Sequence, residues 1–261
     1  MPEGDTVWRA CRQLDAALAG QMLVAADLRV PSLATVDLRG VRVREVRPRG
    51  KHQLFRFDNG LTLHTHLRMD GAWKVFAADA RRSAGPEHQI RVLLTTATVQ
   101  AVGYRLPLVE LFPTAAEEAN LGHLGPDLLG PDWDLDEALS RLRAEPDRTI
   151  GEALLDQRNL AGIGTFYRAE TLYLCGIHPR RPVGEMRDLP KVVDKARALL
   201  RANLDRPWQT TTGDTRPGER THVFDRAGRP CRRCGTTITL EIFGPPGQER
   251  RSFWCPHCQP L

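Results

Sequence analysis

Four cysteines near the carboxyl end, Cys231, Cys234, Cys255 and Cys258, restrict this chain more than any other feature. Their spacing, C-x2-C-x20-C-x2-C, is that of two metal-binding knuckles. The chain opens without the apolar core of a secretory signal, so the pattern reads as a zinc site and not as disulfides. Four thiolates complete a tetrahedral Zn2+ sphere, so such a zinc is structural and leaves no position for a catalytic water. The knuckles are then joined by a hairpin with strands near 237–243 and 251–254, and Arg250 and Arg251 near its tip are aimed by the metal. A ribbon of this kind either stabilises its own fold or grips a partner, and the spacing alone does not choose. Cys11 and Cys175 stand singly in apolar-periodic contexts and read as buried core thiols.

Charge narrows the choice of partner. The net charge is +5 with a pI near 9.1, and residues 206–261 hold nine Arg against five Asp or Glu, so +4 of it sits there. Arginine's planar fork suits phosphate oxygens, which favours a polyanion. With 41% hydrophobic and 26% charged residues the chain has the balance of a water-soluble globular protein. No apolar run approaches the ~20 residues of a membrane span, and the expectation is a cytoplasmic protein. At 261 residues there is room for one large domain, or two plus a small module.

The expected class is α+β: an N-terminal antiparallel β-sandwich with a flanking helix, a helical domain and the zinc hairpin. Residues 5–19 place Val7, Cys11, Leu14 and Leu18 on one helical face, with Asp5 or Thr6 as a cap. Short alternating runs follow at 22–30, 41–47, 53–57, 61–66, 72–77 and 90–102. Asp58-Asn59-Gly60 between two of them is a hairpin turn. The Pro-, Gly- and acid-rich stretch 113–134 reads as a linker, giving domains 1–114, 135–222 and 223–261 around it. Helices are expected over 136–143, from a Thr149/Glu152 capping box to about 156, over 165–174 and over 189–203.

Several segments have two readings. Arg49-Gly50-Lys51 is either a polar bend or a close approach of backbone to ligand. His64 and His66 share one face of a strand, but no third metal ligand is evident, so hydrogen-bonded histidines are the ordinary reading. Met69, in Arg68-Met69-Asp70-Gly71, either packs under its turn or is a wedge that enters a base stack. Gly162 and Gly164 leave amides open at a helix N-terminus, where a phosphate can be held, or they serve a plain helical corner.

The amino terminus carries the chemistry. Without Met1, Pro2 presents a secondary amine as the chain terminus. An α-amino group has a pKa of roughly 7.7–8.0, against about 10.4 for lysine, so near neutrality a useful fraction can attack an electrophilic carbon. Glu3 follows directly and can supply a proton.

Taken together, Pro2-Glu3-Gly4, Arg49-Gly50-Lys51, His66 through Gly71, Leu124-Gly125-Pro126-Asp127, the stretch 150–179 and the four cysteines resemble the Fpg/Nei family of bacterial DNA glycosylases along essentially the whole chain. The Pro-Glu-Gly start is similar to the endonuclease VIII branch. The resemblance implies Pro2 as the nucleophile at C1′ of a damaged nucleotide, Glu3 as the acid in sugar-ring opening and Lys51 as the lysine that assists base removal. It further implies Arg250 as the zinc-finger arginine on the phosphates, Met69 as filler of the flipped-out gap, and Gly162, Gly164 and Thr165 as DNA contacts of a helix–two-turn–helix (H2TH) motif. Zn2+ is the structural cofactor, with no catalytic cofactor. Damaged DNA is the partner, without a membrane, and a monomer suffices. The implied activity is excision of oxidised bases, pyrimidines favoured, then strand scission by β,δ-elimination. Departures are Thr165 where the family has Asn, Thr6 in place of a second Glu, and Asp70 in place of an aromatic wedge partner. Two alternatives stand beside this reading: a non-catalytic zinc-ribbon DNA binder, and a glycosylase for oxidised purines.

Overall fold

The computed structural model describes residues 2–80, 85–247 and 249–261. The chain divides into two compact units, Met1–His123 and Leu124–Leu261. Among the described residues no helix is long and apolar enough to cross a membrane.

In the first unit, helix α1 spans Gly4–Leu18 and buries Val7, Cys11, Leu14 and Leu18 at the spacing that one helical face requires. Its cap differs from expectation. Glu3, not Asp5 or Thr6, holds the N-cap position with extended backbone and makes no side-chain capping bond. Eight strands follow: β1 (Ala25–Leu28), β2 (Val43–Arg49), β3 (His52–Phe57), β4 (Leu61–His66), β5 (Ala72–Ala77), β6 (Ile90–Thr95), β7 (Val99–Tyr104) and β8 (Leu108–Pro113). They form two four-stranded antiparallel sheets of order β1-β6-β7-β5 and β2-β3-β4-β8. One core takes α1 together with Val46, Phe55, Phe57 and Leu63 of one sheet and Leu28, Trp73, Val92 and Leu94 of the other.

Two corrections to the strand pattern have a local cause. The run 90–102 is two strands, because the Thr96 hydroxyl accepts the amides of Thr98 and Val99 and turns the chain. Strand β8 had no counterpart among the expected runs; it pairs with β4 on one side only and ends at Pro113, which an edge strand tolerates. The first part of the stretch read as a linker is ordered. Helix α2 (Glu117–Leu121) begins there, and the Arg56 guanidinium donates to both carboxylate oxygens of Glu117 at 2.8 and 2.7 Å.

The second unit opens with α3 (Leu135–Arg143), whose N-cap Asp134 accepts the Glu137 amide. Helix α4 (Ile150–Ala153) has the expected capping box, since the Thr149 hydroxyl accepts the Glu152 amide at 3.3 Å. It stops short of residue 156, where the Asp156 carboxylate instead takes Arg148 at 2.8 Å and Arg158 at 2.6 Å. Helices α5 (Thr165–Cys175) and α6 (Leu189–Ala202) complete the helical layer, and Gly176 at φ +70° terminates α5 in the left-handed conformation. Strands β9 (Thr239–Phe243) and β10 (Arg250–Trp254) form the antiparallel hairpin between the cysteine knuckles.

That hairpin is not an appendage. Ala169 and Tyr173 of α5 share a core with Val223, Ile238, Phe253, Cys231 and Cys255. Glu170, fully buried on α5, accepts the backbone amides of His222, Val223 and Phe224 at 2.8 Å each, and also the Thr211 hydroxyl. Glu170→Ala would leave one buried and two part-buried N–H groups without an acceptor, so we predict a loss of about 3 kcal/mol in denaturant unfolding. An unchanged unfolding midpoint would show that the carboxylate does not hold this segment.

Candidate active site and nucleic-acid interface

Helix α1 fixes the amino terminus. Pro2 is half-buried, while Glu3 is fully buried and its carbonyl accepts the Val7 amide at 3.0 Å. Pro2 and Glu3 are thus held at the head of a helix whose other face is in the core.

Lys51 lies in the two-residue turn between β2 and β3, where Arg49 pairs with His52. Gly50 takes φ +57°, the positive value that so tight a hairpin demands. Beside this turn is a row of imidazoles. His52 Nδ1 lies 2.7 Å from His64 Nε2, and His64 Nδ1 lies 3.0 Å from a carboxylate oxygen of Glu110. His64 is therefore a hydrogen-bonded buried histidine. Among the described residues, only the four cysteines converge as a metal-ligand group.

Met69 is 63% exposed at the tip of its turn, so it does not pack under the loop. The turn is rigid. Arg68 has φ +46° and its amide donates to His66 Nδ1 at 2.9 Å. The Gly71 amide donates to the Leu67 carbonyl, and a Cβ on Gly71 would meet that oxygen at 2.5 Å. Arg105, also at positive φ, donates to the Asp70 carbonyl at 3.1 Å.

In the second unit, Gly164 is the N-cap of α5 and Thr165 its first residue, only 6% exposed. The Gly162 amide is not open as the glycine pattern suggested: it donates to the Gln157 side-chain oxygen at 3.1 Å. The same side chain donates to the carbonyls of Leu155 and Ile163, each at 2.9 Å, and so shapes the whole turn. Arg250 is exposed at the start of β10 and lines a depression of about 410 Å³ with Gln157, Arg148, Arg158, Arg168 and Phe243. Glu152 and Asp156 line the same hollow, and Asp156 already pairs with Arg148 and Arg158, so its four arginines leave a net positive charge and not an unbroken basic wall. Arg168, 1% exposed, donates to the Arg251 carbonyl at 2.7 Å and the Gly151 carbonyl at 3.3 Å, which ties the hairpin to the helices and fixes where Arg250 stands.

Sequence reasoning missed Gln157 and Arg168. Gln157 left no signal. Arg168 left one: with Glu170 it is one of two charged residues on a helix otherwise built of apolar, aromatic and small residues.

The four cysteine sulfurs lie within 4.8 Å of one another. Close pairs are 3.5 Å (Cys234 to Cys255 and to Cys258) and 3.9 Å (Cys231 to Cys258). Bonds of about 2.3 Å to a tetrahedral metal imply sulfur–sulfur edges of about 3.8 Å, so the donor set fits a single ion of that geometry.

With this geometry in hand, comparison with known proteins is direct. Residues 1–105 match the formamidopyrimidine-DNA glycosylase N-terminal domain, and residues 124–213 match the formamidopyrimidine-DNA glycosylase H2TH domain. The chain is 56% identical to the probable endonuclease 8 2 of Streptomyces coelicolor over 261 residues, covering 99% of this chain and 94% of that one. It is 45% identical to the DNA-(apurinic or apyrimidinic site) lyase Nei2 of Mycolicibacterium smegmatis, covering 99% of each. The fold is that of Lactococcus lactis Fpg, solved in complex with abasic-site DNA, at TM-score 0.83 and 23% identity over 99% of this chain and 100% of that one. The chain belongs to the Fpg/Nei family of DNA glycosylases and abasic-site lyases, on its endonuclease VIII branch.

Proposed function

We propose that this protein excises oxidised bases, pyrimidines in preference to purines, and then cuts the strand through a covalent intermediate on Pro2. The observation that carries the reading is the pairing of a half-buried Pro2 with a fully buried Glu3 at the head of α1. In a terminus serving only as a chain end, neither residue has a reason to be ordered.

The steps follow from the groups available. The Pro2 nitrogen attacks C1′ and the bond to the base breaks, with Lys51 giving the proton that the departing base takes. Bond formation leaves the Pro2 nitrogen as an ammonium; it passes its proton to the Glu3 carboxylate, Glu3 delivers a proton to the ring oxygen as the sugar opens, and the freed nitrogen lone pair forms an iminium with C1′. That cation acidifies the C2′ proton, whose loss expels the 3′ phosphate, and a second elimination expels the 5′ phosphate. A base must leave the stack for any of this. Met69, exposed on a stiff turn, fills the gap it leaves. Arg250 and the amides of the Gly162–Thr165 turn take the phosphates around the lesion, although the Gly162 amide would have to exchange its Gln157 partner to take part.

In this division of labour the sandwich, 1–114, carries the chemistry, and the helical segment 135–222 and the zinc finger 223–261 carry the grip. Cys231, Cys234, Cys255 and Cys258 hold Zn2+, whose role is to fix the hairpin that presents Arg250. One copy of the chain supplies every group named, so we read the enzyme as a monomer. The bacterial relatives keep their chromosome in the cytoplasm, and we place its work there.

The deciding assay is cleavage of duplexes carrying single oxidised bases by protein freed of Met1. Pro2→Gly should lower cleavage at least about 10³-fold, as removal of a covalent nucleophile does, while DNA affinity stays within a few-fold. Full cleavage by Pro2→Gly would reject the mechanism, and an inert wild type that still binds would favour a non-catalytic binder. A purine lesion cut faster than any pyrimidine would reverse the specificity.

The zinc-finger reading has its own test. Arg250→Ala should weaken binding by about 1–3 kcal/mol on any sequence and lower the salt slope of log K by about 1. Removing the metal with a chelator should weaken binding at least as much. Intact affinity after complete metal loss would show that the hairpin does not need it.

A further inference from the structure

The imidazole row beside Lys51 has no part in the steps above, yet it is an expensive arrangement for a sheet face. His52, His64, His66 and Glu110 lie on adjoining strands in register: His52 opposite His66, and His64 opposite Glu110. The rings of His52 and His64 lie 4.9 Å apart, as do those of His52 and His66. The His64 side chain is 5% exposed, whereas Glu110, at 51%, reaches solvent. A hydrophobic residue would fill the place of His64 with no polar atoms to satisfy.

The hydrogen bonds dictate where the protons are. An ionised carboxylate only accepts, so His64 Nδ1 carries hydrogen and donates to Glu110 at 3.0 Å. In neutral His64 the Nε2 atom must then accept, so the 2.7 Å contact is a donation from His52 Nδ1–H. His52 is left with a lone pair on Nε2. His66 has the opposite tautomer, because its Nδ1 accepts the Arg68 amide at 2.9 Å.

Neutrality is enforced by the surroundings. His52 faces His66, His64, His123 and Lys51, and burial with these neighbours pushes it down to about 3. His66 faces Lys51, Arg68 and His64, and burial with those charges pushes it down to about 4. For His64 burial lowers the pKa against the opposing pull of Glu110 and Glu117. Lys51 directly precedes His52 in the turn that joins β2 to β3, and His52 in turn stands opposite His66, so the lysine sits at the end of the row.

We propose that Glu110, His64 and His52 form a positioning chain for Lys51, in which the carboxylate fixes both imidazole tautomers and leaves the His52 Nε2 lone pair to accept from the Lys51 ammonium. The chain keeps Lys51 charged and aimed as the proton donor to the departing base, and it adds no competing positive charge. This inference rests on the role given to Lys51 under the proposed function. The chain acts through Lys51, so its loss should affect base release and not the later eliminations.

The test compares two reactions of one enzyme. Glu110→Ala and His64→Gln are assayed on an oxidised-base duplex and on a duplex with a ready-made abasic site, across pH. We expect base excision to fall about tenfold relative to abasic-site cleavage. Its alkaline limb should move to lower pH, because an ammonium that loses its acceptor gives up its proton more easily. Nitrogen NMR of the wild type should find His52 and His64 as Nδ1–H tautomers, and Glu110→Ala should release that preference. Equal loss of both reactions with an unmoved alkaline limb would mark the row as structural and overturn the proposal. So would His52 protonated on Nε2, or two variants with unchanged excision. A wild type unable to cut either duplex would instead overturn the proposed function itself.

Discussion

The packing of α1 into the sandwich core is the interaction on which the amino terminus depends. Val7, Cys11, Leu14 and Leu18 are each at most 1% exposed, and buried side chains of this kind contribute about 1.5–3 kcal/mol apiece for the larger aliphatic ones. Fraying the first turn would expose Val7 and draw the buried Glu3 into water. A terminal amine is a poor catalyst on a loose chain end, because each conformation it visits dilutes the reactive one. Here the helix begins two residues after Pro2, so its order is inherited from the core.

The second unit solves a related problem with polar groups. Arg168 and Glu170 are near neighbours on α5, buried, and each binds backbone that lies far along the chain. Buried charges are costly unless their hydrogen bonds are complete. Glu170 meets that condition with three amides and a hydroxyl, and the segment it anchors leads directly to the first cysteine knuckle. Tyr173, one turn further, places its hydroxyl 3.3 Å from the Cys231 sulfur. Helix α5 therefore supports both the H2TH turn at its start and the cysteine hairpin along its flank. No separate device is needed to align the two.

Much of this was legible in the sequence because the signals were local. The apolar spacing of α1, the Asp58-Asn59-Gly60 turn and the Thr149/Glu152 cap each concern a few adjacent residues, and each formed where expected within a residue or two, save that α4 ends early. The cysteine spacing was equally informative, since tetrahedral coordination allows few chain paths. Less legible was whatever depended on partners distant in sequence. Strand β8 has no clear alternation of its own and shows itself only when β4 pairs with it. The Gly162–Gly164 turn looks like an open anion site until Gln157 is seen to occupy one of its amides. His64 and His66 announced themselves by alternation, but His52 and Glu110, which give the pair its meaning, come from two other strands.

The central claim is that the chain's own terminus is the nucleophile. Borohydride reduction during turnover of abasic-site DNA, followed by mapping of the cross-linked peptide, addresses it without assumptions about lesion choice. The account predicts one covalent adduct, on the nitrogen of Pro2, and none in protein that retains Met1. An adduct on Lys51 or another lysine, or an undiminished cross-link with Met1 in place, would contradict it.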